Sequence, residues 1–309
     1  MTTQPVVSET RTGARFKWYE RARRWASSDT FTAYVFLAIP LVLFFFIKIY
    51  PVLYNVALSF TNYDLFSPMK FIGLKNYVDV FTQEVTLKAI RNTIYFTIGT
   101  VPIGTAIALV VATLLNQPIR GRIVFRTLYY LPVVTSVVVS SMIWRWLFNP
   151  QMGLLNYFLK IFGVPPQQWI QDPKMALPSL IIVSLWGGLG GNMVVFLAGL
   201  QDIPEELYEA ARIDGAHRLQ LFFHITVPML RAVILFVVVT YCIGIFRSFG
   251  LIYMLTQGGP MLTTNTLVWE VYMAAFGYLR LGKAGAISVV LLATILLITA
   301  LNFRLIREE

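Results

Sequence analysis

The chain is 309 residues long, 57% hydrophobic, 15% aromatic and only 13% charged, with a mean hydropathy of +0.67, whereas soluble globular domains carry about 25% charged residues. That composition excludes a soluble enzyme and, with so many aromatic and aliphatic side chains, intrinsic disorder. The net charge of +10 does not mark nucleic-acid binding, because the basic residues fall in short runs between long uncharged stretches, and one cysteine (Cys242) with two histidines leaves neither a disulfide framework nor a metal cluster.

Six stretches reach the ~20 residues a helix needs to cross ~30 Å of hydrocarbon. They run over residues 31–57, 90–115, 124–147, 176–200, 229–255 and 284–304. The expected fold is therefore an all-α integral membrane protein of six transmembrane helices. A basic segment over residues 1–30 precedes a six-span domain over residues 31–305, and a short tail over residues 306–309 follows it. Pro40, Pro51, Pro102 and Pro132 fall inside spans, where kinks are expected because neighbouring helices can satisfy the freed carbonyls. Arg11, Arg15, Lys17, Arg21, Arg23 and Arg24 precede the first span, whose apolar stretch is too long for a removable signal peptide. With that end inside, cytoplasmic segments hold fourteen basic residues and outer segments eight, so the positive-inside bias places both termini in the cytoplasm.

Three charges lie within spans, where an ionisable residue is by default a functional candidate. Lys48, Arg145 and Arg247 fall 17, 21 and 18 residues past the cytoplasmic start of their spans, about 26 to 32 Å across. Snorkelling to the outer interface accounts for Lys48 and for Arg145, which Trp144 and Trp146 flank, while Arg247 stays open between that reading and a functional one.

The loop over residues 201–228 is the one densely patterned polar segment. Asp202 followed by Glu205 fits a capping box opening a first helix, and Gly215 after Asp214 suits the left-handed position that ends it. A second amphipathic segment runs to Pro228, giving a helix-turn-helix. Leu207, Ala210 and Ala211 share one face with Glu209 beside it. That spacing fits a connector lying on the headgroups and a docking element equally. His217 and His224 read as interfacial surface, and Cys242 as a packed apolar residue.

Glu209, Ala210 and Ala211, then Gly215 after three residues, then Ile225 and Pro228 after nine more, resemble the EAA signature of ABC-importer permeases, with Val227 in place of its leucine. FIGLKNY from Phe71, RTLYYLPVVTSVVVSSMIWRWLFNPQMGLLN from Arg126 and QGGPMLTTNTLVWEVYMAAF from Gln257 are similar to the carbohydrate branch of that family, in particular the larger membrane subunit of the maltose importer. The likeness covers roughly residues 35–305, but that subunit has extra N-terminal spans and a large outer domain, and what depends on these does not carry over.

The resemblance implies a subunit of the prokaryotic inner membrane that is not itself an enzyme. It would work with a second permease as a pseudo-symmetric heterodimer, two cytoplasmic ATPase subunits that use ATP and Mg, an extracytoplasmic solute-binding protein and a sugar substrate. No G-x-x-x-x-G-K-[ST] phosphate loop is present. On this resemblance Glu209 contacts the ATPase, Ala210 and Ala211 form the packing surface, Asp214 and Gly215 the turn, and Ile225 and Pro228 complete the loop. Alternating access asks for a substrate site near the midplane, with candidates Thr135, Trp186, Asn192, Tyr241, Arg247 and Ser248. Of these, Tyr241 and Ser248 match sugar-contact positions of the maltose-importer subunit, while helix-joining polar groups are the competing reading for each. A permease for another solute such as glycerol phosphate or an amino acid is the near alternative. An ion-coupled secondary transporter is the distant one, since no acidic residue lies at mid-membrane depth.

Overall fold

A computed structural model describes residues 29–307, and the basic residues Arg11 to Arg24 of the segment expected over residues 1–30 lie outside them. The described chain is helical, with one antiparallel bridge between Thr61 and Phe71. By chain contacts it forms two units, one ending at Ala57 and one beginning at Leu58.

In the first unit, α1 (Asp29–Phe44) passes through a wide turn at Phe45–Ile49 into α2 (Tyr50–Ser59), and Pro40 lies inside α1. Residues Thr32–Ser59 make one 28-residue apolar stretch. A helix that is hydrophobic all round is suited to lipid or partner helices.

The second unit contains α3 (Lys75–Thr82), α4 (Glu84–Asn116), α5 (Arg122–Val134), α6 (Val137–Leu147), α7 (Leu154–Ile161) and α8 (Ala176–Gln201). It continues with α9 (Glu205–Ile213), α10 (Arg218–Leu221), α11 (Val227–Met229), α12 (Arg231–Phe246), α13 (Phe249–Leu255), α14 (Leu267–Tyr272) and α15 (Leu281–Arg307). Among the described residues four helices are long and apolar enough to cross a membrane, or up to six if each of two bent pairs counts as one span.

The first of these bends falls where an uninterrupted span was expected, over residues 124–147. Helices α5 and α6 meet at 102°. Pro132 removes one backbone donor near the end of α5, and Ser136 accepts from the Val139 N–H at 3.3 Å, so a new helix starts in another direction. The second, of 70°, falls at Leu230, where the span expected over residues 229–255 begins, and that span is divided further on, at Arg247 and Ser248 between α12 and α13. Pro102, by contrast, sits inside the unbroken 33-residue α4. The apolar helix Leu267–Gly277 falls where a loop was expected.

The core is the seam of α4, α8 and α12. One buried cluster joins Ala108, Leu109 and Ala112 of α4 to Met193, Phe196 and Leu197 of α8 and Val237 of α12, and a second gathers Phe96, Leu180, Tyr241 and Ile252. Glycines set the closeness of this seam. A Cβ at Gly190 would strike the Tyr129 carbonyl and lie 2.8 Å from Tyr130 Cα, so α5 and α8 touch backbone to backbone there. Cβ atoms at Gly104 and Gly188 would fall 2.6 and 2.7 Å from the Tyr241 ring, whereas Gly187 and Gly191 have open space before them.

At the N-terminal end of α4, the buried Asn92 and the half-buried Lys88 fasten the segment before α14. Asn92 donates to the carbonyls of Leu262 and Asn265, each at 2.9 Å, and Lys88 donates to that of Met261 at 2.6 Å. Glu270, 4% exposed, lies 3.8 Å from Lys283, which donates to Gln83 at 2.5 Å.

Candidate functional site

The segment over residues 201–228 leaves α8 at Gln201 and folds back onto the ends of α4 and α8. Asp202 does not cap α9 as the spacing predicts: its N–H closes α8 on the Gly199 carbonyl at 3.3 Å, and Pro204 holds the N-cap position with no side-chain bond. The reason is positional. Pro204 fixes the backbone at φ −57° directly before Glu205, which leaves Asp202 two residues too early, while the neighbouring Ile203 is buried. Glu205 and Glu206 in the first turn and Arg212 in the last still complement the helix dipole.

Gly215 ends α9 at φ +85°. Its N–H donates to the Arg212 carbonyl at 3.1 Å and the Ala216 N–H to the Ala211 carbonyl at 2.9 Å, the paired bonds of a Schellman closure. A capping box then opens α10, with the His217 N–H donating to Gln220 Oε1 at 2.9 Å and the Gln220 N–H to His217 Nδ1 at 3.3 Å. The sequence reading missed this box because histidine is not among the usual capping residues. His224 Nδ1 lies 3.1 Å from the Gln220 carbonyl. Among the described residues no cluster of three metal-ligating side chains occurs.

The hairpin is anchored on one side and open on the other. Tyr208, which sequence reasoning did not single out, places its hydroxyl 3.0 Å from the buried Thr226 Oγ1, and Tyr208, Phe222, Ile225 and Val227 pack against the α4–α8–α12 core. Glu209 and Ala210 are exposed, as are Leu207 and Ile213, the latter at 87%. Ala211, Asp214, Gly215 and Ile225 line one cleft of about 300 Å³ together with Ala216, Gln220, Leu221 and His224. Pro228, exposed in α11, lies outside that cleft. A larger cleft of about 670 Å³ separates the hairpin residues Glu205, Tyr208, Arg212 and Arg218 from the ends of α4 and α8. A surface with small side chains, a carboxylate and apolar tips, fixed to three long helices, can take up a partner and pass its movement to those helices.

The six path candidates are not brought together in either cleft. Thr135 ends α5 and donates to the Leu131 carbonyl at 2.9 Å. Trp186 meets Trp144 edge to face at 5.8 Å. Asn192 has a buried Nδ2 without a hydrogen-bond partner among the described residues. Tyr241 is buried and donates to the Ser184 carbonyl at 2.9 Å, its ring held between Gly104 and Gly188. Arg247, exposed, and Ser248, half-buried, form the break between α12 and α13. Arg145 donates to the Met254 carbonyl, tying α6 to α13.

Comparison with known proteins adds an independent finding. Residues 100–307 match the family described as "Binding-protein-dependent transport system inner membrane component". The chain is 36% identical over 283 residues to the probable ABC transporter permease protein YesP of Bacillus subtilis, covering 89% of this chain and 90% of that one. It is 34% identical over 271 residues to the sn-glycerol-3-phosphate transport system permease protein UgpA of Agrobacterium fabrum, covering 87% and 91%. A chain of the bacterial alginate ABC transporter, solved in complex with an alginate pentasaccharide-bound periplasmic protein, superposes with a TM-score of 0.78 over 94% of this chain and 96% of that one at 23% identity, a likeness of fold.

Proposed function

Because this chain belongs to the inner-membrane components of binding-protein-dependent transport systems, we propose that it is one permease subunit of an ATP-driven carbohydrate importer, with both termini cytoplasmic and residues 201–228 as its coupling element. Of the relatives with named cargo, the alginate transporter supports a sugar-type substrate and the glycerol-phosphate permease the near alternative of a phosphorylated polyol. A second permease, two ATPase subunits and an extracytoplasmic binding protein complete the assembly, and ATP and Mg belong to the ATPases.

The observation that carries this reading is the hairpin's two-sidedness. Its exposed face offers Glu209, Ala210 and the cleft lined by Ala211, Asp214, Gly215 and Ile225, while Tyr208, Phe222 and Val227 join its other face to α4, α8 and α12. Closure of the ATPases would push on the first face, and the packed second face would carry the displacement into the seam where Tyr241 lies. A carboxylate contact at Glu209 is charge-assisted, and stranding its partner costs about 1 to 3 kcal/mol.

The test is purification from native membranes in mild detergent with identification of every co-purifying chain, wild type against Glu209→Lys. The expected result is an ATPase and a second permease with the wild type, and loss of the ATPase and of transport in the variant at equal membrane insertion. An intact solitary protein that accumulates solute in proteoliposomes without ATP would overturn the proposal.

A further inference from the structure

At the end of the unit opposite the hairpin lies a third cleft, of about 600 Å³. Its position follows from the chain: Ile170 and Gln171, which line it, come just before α8, and the hairpin comes just after that helix. The 26 residues of α8 span about 39 Å. The walls divide into two chemistries. Phe148, Pro150, Ile170, Leu255 and Pro260 are apolar, while Arg145, Asn149, Gln171 and Thr256 are polar.

Arg145, Asn149 and Gln171 have hydrogen-bonding capacity to spare. One Arg145 nitrogen, Nη2, donates to the Met254 carbonyl, which holds the guanidinium in place and leaves its remaining N–H groups unengaged by described residues. Asn149 Oδ1 accepts from the N–H groups of Gln151 and Met152 at 3.0 and 2.9 Å, which fixes the amide plane and leaves Nδ2 available. The Gln171 side chain is exposed and makes no hydrogen bond with described residues. No carboxylate lines the cleft, so Arg145 gives it a net positive charge. The facing wall is held firmly, since Thr264 Oγ1 donates to the carbonyl of Gly259 at 2.7 Å and lies 2.8 Å from Thr256 Oγ1.

We propose that this cleft is an entry site for an acidic sugar unit, a uronate-bearing oligosaccharide met before the membrane-buried path. Planar guanidinium and amide groups against apolar walls suit a pyranose ring, whose C–H face is apolar and whose edge is polar. A guanidinium with two parallel N–H groups free is the side chain best matched to a carboxylate. Asn149 and Gln171 then address ring hydroxyls, and the proline and isoleucine surfaces the C–H face. The proposal deepens the reading of this chain as a carbohydrate permease and rests on it.

The test uses the assembly purified from native membranes, with its co-purifying chains identified, and two probes: trigalacturonate and neutral maltotriose. Saturable binding is measured by saturation-transfer NMR for the wild type, Arg145→Gln, Arg145→Lys and Gln171→Ala. The wild type should bind trigalacturonate more tightly than maltotriose. Arg145→Gln should lose about tenfold for the acidic probe only, and Arg145→Lys should keep part of the preference. Gln171→Ala, which disturbs no internal bond, should weaken both probes several-fold. If the intact assembly binds neither probe, or Arg145→Gln and Gln171→Ala bind as the wild type does, the entry site is wrong. Loss of the binding protein from Arg145→Gln with sugar binding unchanged would assign the cleft to that protein and also overturn the proposal. Absence of an ATPase from the wild-type preparation would instead refute the permease reading.

Discussion

Substituting alanine at Gly190 and at Gly187, three residues apart on α8, should have opposite effects. Both substitutions gain about 0.5 to 1 kcal/mol from the lower conformational freedom of alanine in the unfolded chain. At Gly187 nothing stands within 4 Å of the added methyl, so that gain is the whole effect. At Gly190 the methyl would lie 2.8 Å from Tyr130 Cα and closer still to the Tyr129 carbonyl oxygen. Carbon atoms prefer about 3.5 to 4.0 Å, and neither obstacle can rotate away because both are backbone. Helices α5 and α8 must therefore part by roughly 0.5 to 1 Å, which forfeits a quarter to a half of the dispersion energy of each contact along the seam. Overpacking of this kind costs about 1 to 3 kcal/mol, and because the gain is common to both variants they should differ by that same amount. Thermal unfolding of the purified proteins in one detergent, read by circular dichroism, measures the difference. Equal midpoints, or a more stable Gly190→Ala, would refute the claim that backbone contact holds α5 on α8.

Gly215→Ala, where the added methyl meets no atom and only the φ of +85° opposes it, should cost about 1 to 2 kcal/mol, and Gly215→Asn less, in the same unfolding assay. Asn156, 5% exposed, donates to the Pro150 and Gln167 carbonyls and accepts from the Gln167 N–H and the Trp169 indole N–H. Asn156→Ala strands those partners and should cost about 2 to 4 kcal/mol, visible as a shift in Trp169 fluorescence together with a lowered midpoint. Lys283→Met leaves the Glu270 carboxylate buried with only the Asn265 amide at 3.1 Å and should cost about 3 to 5 kcal/mol, which the double change with Glu270→Leu should largely restore. The Asp64 carboxyl is held below the usual carboxylate range by the Ser67 N–H at 2.7 Å first, with the Phe66 N–H and the Ser67 hydroxyl adding to it. Its contribution to the order of that loop is complete above the unfolded-state value and is lost as pH falls through the lowered one. Amide exchange over residues 64–67 should therefore rise only in acid, and Asp64→Asn should remove that step.

Much of the architecture was legible because hydrocarbon imposes a length and an apolar composition that a linear sequence records directly. The continuous helices around residues 31–57, 90–115, 176–200 and 284–304 were read in this way, as was a family whose signature is a run of spaced residues, Glu209 to Pro228. Composition fixes how much chain can be apolar but not where a helix turns. The 102° bend after Pro132, the break at Arg247 and the helix over residues 267–277 depend on which neighbour accepts the freed backbone groups, and that neighbour is distant in sequence. The site divides along the same line. Gly215 was readable because a left-handed residue at a helix end is a local requirement. The anchoring of Tyr208 on Thr226, eighteen residues away, was not, nor was the capture of the Tyr241 ring by Gly104 and Gly188. The cleft that joins Arg145 to Gln171 and Pro260 belongs to the same class. Such pairings have no local signature in one sequence, because they are decided by the packing of helices whose apolar faces are interchangeable in composition and distinct only in shape.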